Sequence, residues 1–147
     1  LTGFEERLNN LLVSTFNTIA KYEEISLKNI FETPVTVSEA HFIEAIGKSE
    51  GTTVSELAAL LNIAVPTATV AVKKLESKGY VQKIRCNEDA RRSIITLTDS
   101  GKKVDRAHGL FHRRMVRNIS GGFSETEKEV LLASINKLNE FFISKTI

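Results

Sequence analysis

The sequence predicts a mostly α-helical chain with a small β component (α+β), about six helices and one two-stranded hairpin. Three observations lead there. Apolar residues recur every three or four positions along most of the 147 residues, the stripe of amphipathic helices. One stretch, around residues 80–98, switches to β-rich runs on either side of a polar tip. Capping boxes and glycines punctuate the helical stretches, with no low-complexity linker or internal repeat. With 41% hydrophobic and 26% charged residues, the chain has the composition of one ordinary globular domain, able to bury roughly 70% of its unfolded surface.

The elements follow in order. Residues 4–30 place Leu8, Leu11, Leu12, Phe16, Ile19 and Ile25 on one stripe. A helix that long, roughly 40 Å at about 1.5 Å per residue, exceeds what one compact core needs, so part of it is expected to pack on another chain. Pro34 breaks the pattern, and a shorter helix after Ser38 runs through Ala40, Phe42, Ile43 and Ile46 towards Gly47. Thr53-Val54-Ser55-Glu56 is a capping box opening a helix whose inward face is Leu57, Leu60 and Leu61. Asn62-Ile63 turns the chain into a helix from about Val65 to Lys78, with Pro66 in its first turn and Gly79 as its stop. Two helices joined by so short a turn fit a helix-turn-helix. Ala64 stands where a Ser or Thr cap is expected.

Residues 80–84 and 93–98 then read as the hairpin, which makes the arrangement a winged helix-turn-helix. A helix follows Asp99-Ser100-Gly101, with Val104, His108, Phe111, Met115 and Ile119 inward, ending at Gly121-Gly122. The last helix opens with a capping box at Ser124 and Glu127 and carries Val130, Leu131, Ile135, Leu138, Phe141 and Phe142. We read residues 1–147 as a single domain, with 35–101 as the winged helix-turn-helix and 1–34 and 102–147 as dimerisation helices.

Charge is segregated along this frame. From Lys73 to Arg117 there are thirteen Lys and Arg against five Asp and Glu, while the remainder carries seven against thirteen; the net charge of +2 hides this. A basic stretch on an otherwise acidic chain suggests one face for a polyanion. Cys86 alone cannot form an intramolecular disulfide, and no run of about 18 apolar residues is present, which argues against a secreted disulfide scaffold and a membrane-spanning protein. The chain opens Leu1-Thr2-Gly3, and Glu5, Glu6, Glu23 and Glu24 interrupt its first apolar pattern, unlike a signal peptide; a cytoplasmic location is expected.

The chemistry of the second helix of the motif suits double-stranded DNA. With Ala68, Val72 and Leu75 inward, Val65, Pro66, Thr67, Thr69, Val70, Lys73 and Lys74 face out. Hydroxyls suit phosphates or bases, methyls suit thymine, and lysines suit phosphates. No Arg, Asn or Gln stands there for a bidentate base contact, so groove shape is expected to supply much of the specificity. The hairpin tip offers Arg85, Arg91 and Arg92 for a narrow minor groove, and Asp89 would hold Arg91 or the tip backbone in position. A solvated turn held by an ion pair is the plainer account of the same tip.

The runs from Leu61-Asn62-Ile63 to Leu75, Gly79-Tyr80-Val81, Asp89-Ala90-Arg91 and Leu97-Thr98-Asp99-Ser100-Gly101 resemble the MarR family of winged-helix transcription regulators. Ile46-Gly47-Lys48, Lys78-Gly79-Tyr80 and Phe111-His112-Arg113-Arg114-Met115-Val116 look most like the FabT-type repressors of fatty-acid synthesis genes. The resemblance implies a homodimer whose first, fifth and sixth helices interlock, with Thr67, Thr69, Lys73 and Lys74 in the major groove and Arg91 in the minor groove. Two-fold symmetry then predicts a palindromic operator with half-sites about 34 Å apart.

His108 and His112 lie four apart on one helix, and His41 lies on the second. With Glu24, or with Glu23 or Glu39, they could hold one metal ion, and the resemblance extends to zinc-responsive members that place such a cluster on these helices. The competing account is three hydrogen-bonded histidines in a core or interface. The FabT-type resemblance implies instead an effector, acyl-acyl carrier protein, acting as co-repressor. Phe16, Ile19, His41, Phe42, His108, Phe111, His112 and Met115 are its candidate pocket, equally readable as plain core, and Arg106, Arg113, Arg114 and Arg117 offer a basic surface for an acidic carrier. No Gly-rich phosphate loop, nucleophile-base pair or paired-carboxylate pattern points to an enzyme. The same residues also allow a winged module that binds protein rather than DNA, or redox sensing through Cys86.

Overall fold

The computed structural model describes residues 1–28, 34–85 and 92–146. Its elements are α1 (Gly3–Lys28), α2 (Val37–Lys48), α3 (Val54–Leu60), α4 (Val65–Ser77), β1 (Val81–Arg85), β2 (Ser93–Leu97), α5 (Asp99–Ser120) and α6 (Glu125–Thr146). The expected fold class, six helices and a two-stranded wing, is the observed one. The chain divides into two compact units, residues 1–109 and 110–147, so the first helix belongs with the winged part and α5 runs through the division.

Local chemistry explains most boundaries. Thr36, Thr53 and Ser124 each accept from the backbone N–H three residues on, while Glu39, Glu56 and Glu127 accept from the cap residue's own N–H, three complete capping boxes. The first corrects the expected start of α2: Thr36 caps it, because only Thr36 has a glutamate three residues on, so the helix begins at Val37 and contains Ser38. At the end of α3, Asn62 takes the left-handed conformation (φ 53°), its N–H donating to Ala59 O and that of Ile63 to Ala58 O. The same double bond ends α4: Gly79 (φ 80°) donates to Glu76 O and Tyr80 to Leu75 O. These left-handed stops close two helices within a single residue each, and the chain bends by 112° between α3 and α4.

β1 and β2 pair antiparallel from Val81 with Leu97 to Arg85 with Ser93. Thr52 exchanges two backbone hydrogen bonds with Ile95 on the other side of β2, which ties the wing to the residue before the α3 cap. Around this junction Ile43, Ile46, Leu57, Val72, Leu75, Tyr80, Val81, Ile95, Leu97 and Val104 form the core. Each such large aliphatic side chain contributes about 1.5–3 kcal/mol on burial.

Several large apolar residues face solvent within the chain. Leu60 is 65% exposed, because α3 ends there and its inward face is Leu57 and Ala58. On α1 only Glu23 and Leu27 are buried, while Leu11, Phe16, Ile19 and Ile25 are exposed. In the second unit α6 buries no residue, and Ile119, Val130, Leu132, Ile135, Phe141 and Phe142 are exposed. Among the described residues no single helix is long and apolar enough to cross a membrane.

Candidate DNA-reading face and histidine cluster

α4 buries Ala68, Val72 and Leu75 and turns Val65, Pro66, Thr67, Val70, Lys73 and Lys74 outward, with Thr69 half-buried at the edge. Its N-terminus has no side-chain cap, since Ala64 offers none, and Pro66 brings no N–H of its own. The uncapped amides and the positive end of the helix dipole suit an anion such as a backbone phosphate. Thr69 Oγ1 donates to Val65 O at 2.9 Å, so its hydroxyl proton is engaged and only acceptor capacity is left for a ligand.

The two lysines differ in a way that their adjacency in sequence conceals. Lys73 makes no ion pair among the described residues. Lys74 Nζ lies 3.5 Å from Glu39 Oε1, and Lys78 Nζ lies 2.9 Å from both Glu39 oxygens and 3.0 Å from Pro34 O. Burial pushes the Glu39 carboxyl up, but hydrogen bonds from Lys78 and the Thr36 amide and the charges of Lys78 and Lys74 outweigh it and hold the group below its ordinary value. Glu39 therefore serves α4. It is two residues, about 200° of helix, from His41, and this puts it on the opposite side of α2 from the histidines.

At the wing, Arg85 ends β1 exposed, and Arg92 lies 3.2 Å from Glu56 in an exposed ion pair, so one expected DNA-facing guanidinium is partly neutralised by the α3 cap. Asp89, Arg91 and Cys86 lie outside the described residues.

The second cluster corrects the expected carboxylate. Glu23, not Glu24, meets the histidines: His41 Nε2 is 3.0 Å and His108 Nε2 2.5 Å from the same Glu23 Oε1. One residue is about 100° of helix. Glu23 shares the buried face of α1 with Leu27, while Glu24 is exposed. His108 is buried and His41 exposed at its outer edge, with ring centroids 5.4 Å apart. Burial raises the Glu23 carboxyl, but bonds to His108 and His41 and their charges dominate, so its net shift is downward. The ligand atoms of these three side chains lie within 4.8 Å of one another, a donor set that fits a divalent cation. His112, four residues beyond His108 on α5, belongs to the second unit, as do Phe111 and Met115.

Of the expected effector lining, His41 and His108 come together at Glu23 in the first unit, while the apolar members there do not join them. Phe16 (69% exposed) and Ile19 face solvent on α1. Phe42 instead lines a groove with Glu39, Thr67, Val70 and Lys74, against α4. Period counting along each helix gave the faces, but it could not say which neighbour each face meets.

Residues 35–93 match the family model described as MarR family. The HTH-type transcriptional regulator BilQ of Clostridium symbiosum is 33% identical over 107 residues, 72% of this chain and 74% of that protein. The chain belongs to the MarR family. Its family relatives are transcription regulators, and this chain is a DNA-binding regulator, not an enzyme. Among solved structures, Streptococcus pneumoniae FabT in complex with DNA has a TM-score of 0.89 and 32% identity, covering 95% of this chain and 98% of that one. Staphylococcus aureus MarR in complex with salicylate and kanamycin, 18% identical with a TM-score of 0.77 over 97% of this chain and 95% of that one, shares the fold alone.

Proposed function

We propose that this MarR-family regulator is a cytoplasmic repressor that grips a palindromic operator as a homodimer and controls fatty-acid synthesis genes, with acyl-acyl carrier protein as co-repressor. The observation that carries the DNA-reading part is the outward face of α4, an uncapped N-terminus followed by Thr67, Val70 and Lys73 held out in solvent by a fully buried Ala68, Val72 and Leu75. Val65, Pro66, Thr67, Thr69 and Val70 meet base edges and methyl groups, Lys73 and Lys74 the backbone, and Arg85, Arg91 and Arg92 the neighbouring minor groove. The large apolar side chains left exposed on α1 and, separately, on α6 support the dimer, since exposed apolar helix faces mark interaction sites. Likeness to FabT supports the fatty-acid assignment.

A second reading rests on Glu23, His41 and His108. In it, these side chains would hold zinc, with His112 as the fourth member named from sequence, and binding would compete with protonation of the imidazoles. Bound metal would clamp α1, α2 and α5 together. Either effector acts by binding one separation of the two winged units more tightly than another.

Fluorescence anisotropy with an inverted-repeat duplex, titrated with zinc, acyl-acyl carrier protein and the unacylated carrier, tests both. Tightening only with the acylated carrier supports the first reading, and a response to zinc alone that disappears in His108→Ala supports the second. Equal affinity for inverted-repeat and scrambled DNA under all conditions rejects the operator model.

A further inference from the structure

We propose that Glu39 is a positioning residue for DNA binding, an internal counter-anion that competes with the DNA backbone for Lys74 and so limits how many phosphates α4 neutralises. This rests on α4 lying along the duplex, as proposed above. Glu39 is buried between α2 and α4, and its cap bond to Thr36 fixes its direction, so the carboxylate cannot swing into water. Lys78, 22% exposed, holds both oxygens. Lys74, 61% exposed, is the second cation on the same group, at the longer distance of 3.5 Å. Two cations share one anion. The outer one is the easier to exchange, because an exposed ion pair is worth little and a phosphate offers comparable attraction. Lys73, about 100° further round the helix, has no such competitor among the described residues.

The consequence is graded affinity. With Glu39 in place, α4 engages the backbone through Lys73 and only weakly through Lys74, which lowers binding to arbitrary sequence more than binding to an operator read by additional contacts. Glutamine at this position keeps the third-residue side of the capping box while removing the charge, so Glu39→Gln separates electrostatics from helix capping.

The experiment measures the slope of log affinity against log salt for a random duplex, with the full-length protein, for Glu39→Gln, Lys74→Ala, Lys73→Ala and the Glu39→Gln/Lys74→Ala double variant. The expected result is a slope steeper by up to about one unit in Glu39→Gln, with no such increment in the Lys74→Ala background. A slope that is unchanged or shallower, or an increment that survives without Lys74, overturns the inference. Lys73→Ala distinguishes the two levels: if it flattens the slope while Glu39→Gln does nothing, only the counter-anion role fails, and if it leaves the slope unchanged the placement of α4 fails with it. Should Glu39→Gln not fold, Lys78→Gln provides the opposite sign. It leaves Lys74 as the nearest cation to Glu39, so the slope falls, and the fall is absent when Lys74 is alanine; a rise overturns the inference.

Discussion

A Cβ on Gly101 would collide with the backbone carbonyl oxygen of Tyr80, so the first turn of α5 approaches the start of the wing closely because this residue has no side chain. Around it Thr98 Oγ1 donates to Gly79 O at 2.6 Å and accepts from Gly101 N–H at 3.1 Å. This explains the spacing Leu97-Thr98-Asp99-Ser100-Gly101 physically. Gly101→Ala is expected to cost about 1–3 kcal/mol in urea unfolding, and a loss below measurement error would show that the contact relaxes freely. A second residue effect is electrostatic. Asp105 lies against Gly47, whose missing Cβ leaves room for its Oδ2, and burial first, then the Glu44 charge, raises its carboxyl above the usual 3.8 despite His108, Lys48 and Arg106; Glu50 and Lys102 line the same groove. A raised folded value means that ionisation destabilises the fold, a penalty present above about pH 4 and removed as pH falls through the ordinary value. Asp105→Asn should therefore raise the free energy of unfolding at pH 7, by less than about 1 kcal/mol because solvent reaches the group, and the gain should vanish in acid. A gain independent of pH counts against this assignment. At this scale sequence identifies the right residue types but not which of them pair. Glu23, Glu24 and Glu39 were equivalent candidates until helix rotation put Glu23 against the imidazoles and Glu39 against the lysines.

Elements were the most legible level. The boxes at Thr53 and Ser124, the stop at Gly79 and the periodic stripe of α4 are local, because each depends on residues within a turn or two. Thr53→Ala should cost about 1 kcal/mol and loosen the junction where Thr52 bonds Ile95, seen as faster amide exchange at the wing base; exchange unchanged there would disconnect the cap from the wing. The start of α2 was harder to read, since Pro34 and Ser38 both resemble boundaries and only the reciprocal bonds of Thr36 and Glu39 decide between them. The inward face given to Leu60 failed for a related reason: a helix of 7 residues is too short for a stripe to fix its own orientation.

For the whole molecule, the open matter inside one chain is the apolar surface left uncovered on α1 and α6. Leu132 is 70% exposed, so replacing it by glutamate removes almost no packing within the subunit. If that face is the dimer interface, Leu132→Glu should give monomers in sedimentation while leaving the far-UV spectrum intact, and operator affinity should fall with the loss of the second half-site. Dimers of unchanged strength would move the interface elsewhere. The amino-acid sequence by itself determined the elements, the winged helix-turn-helix and the family, since capping, period and turn chemistry act between residues close along the chain. Tertiary structure alone decided which carboxylate faces which cation, leaving Lys73 outside any ion pair among the described residues while Lys74 is tethered, because those pairings join residues 18 to 85 positions apart and depend on how helices rotate against one another.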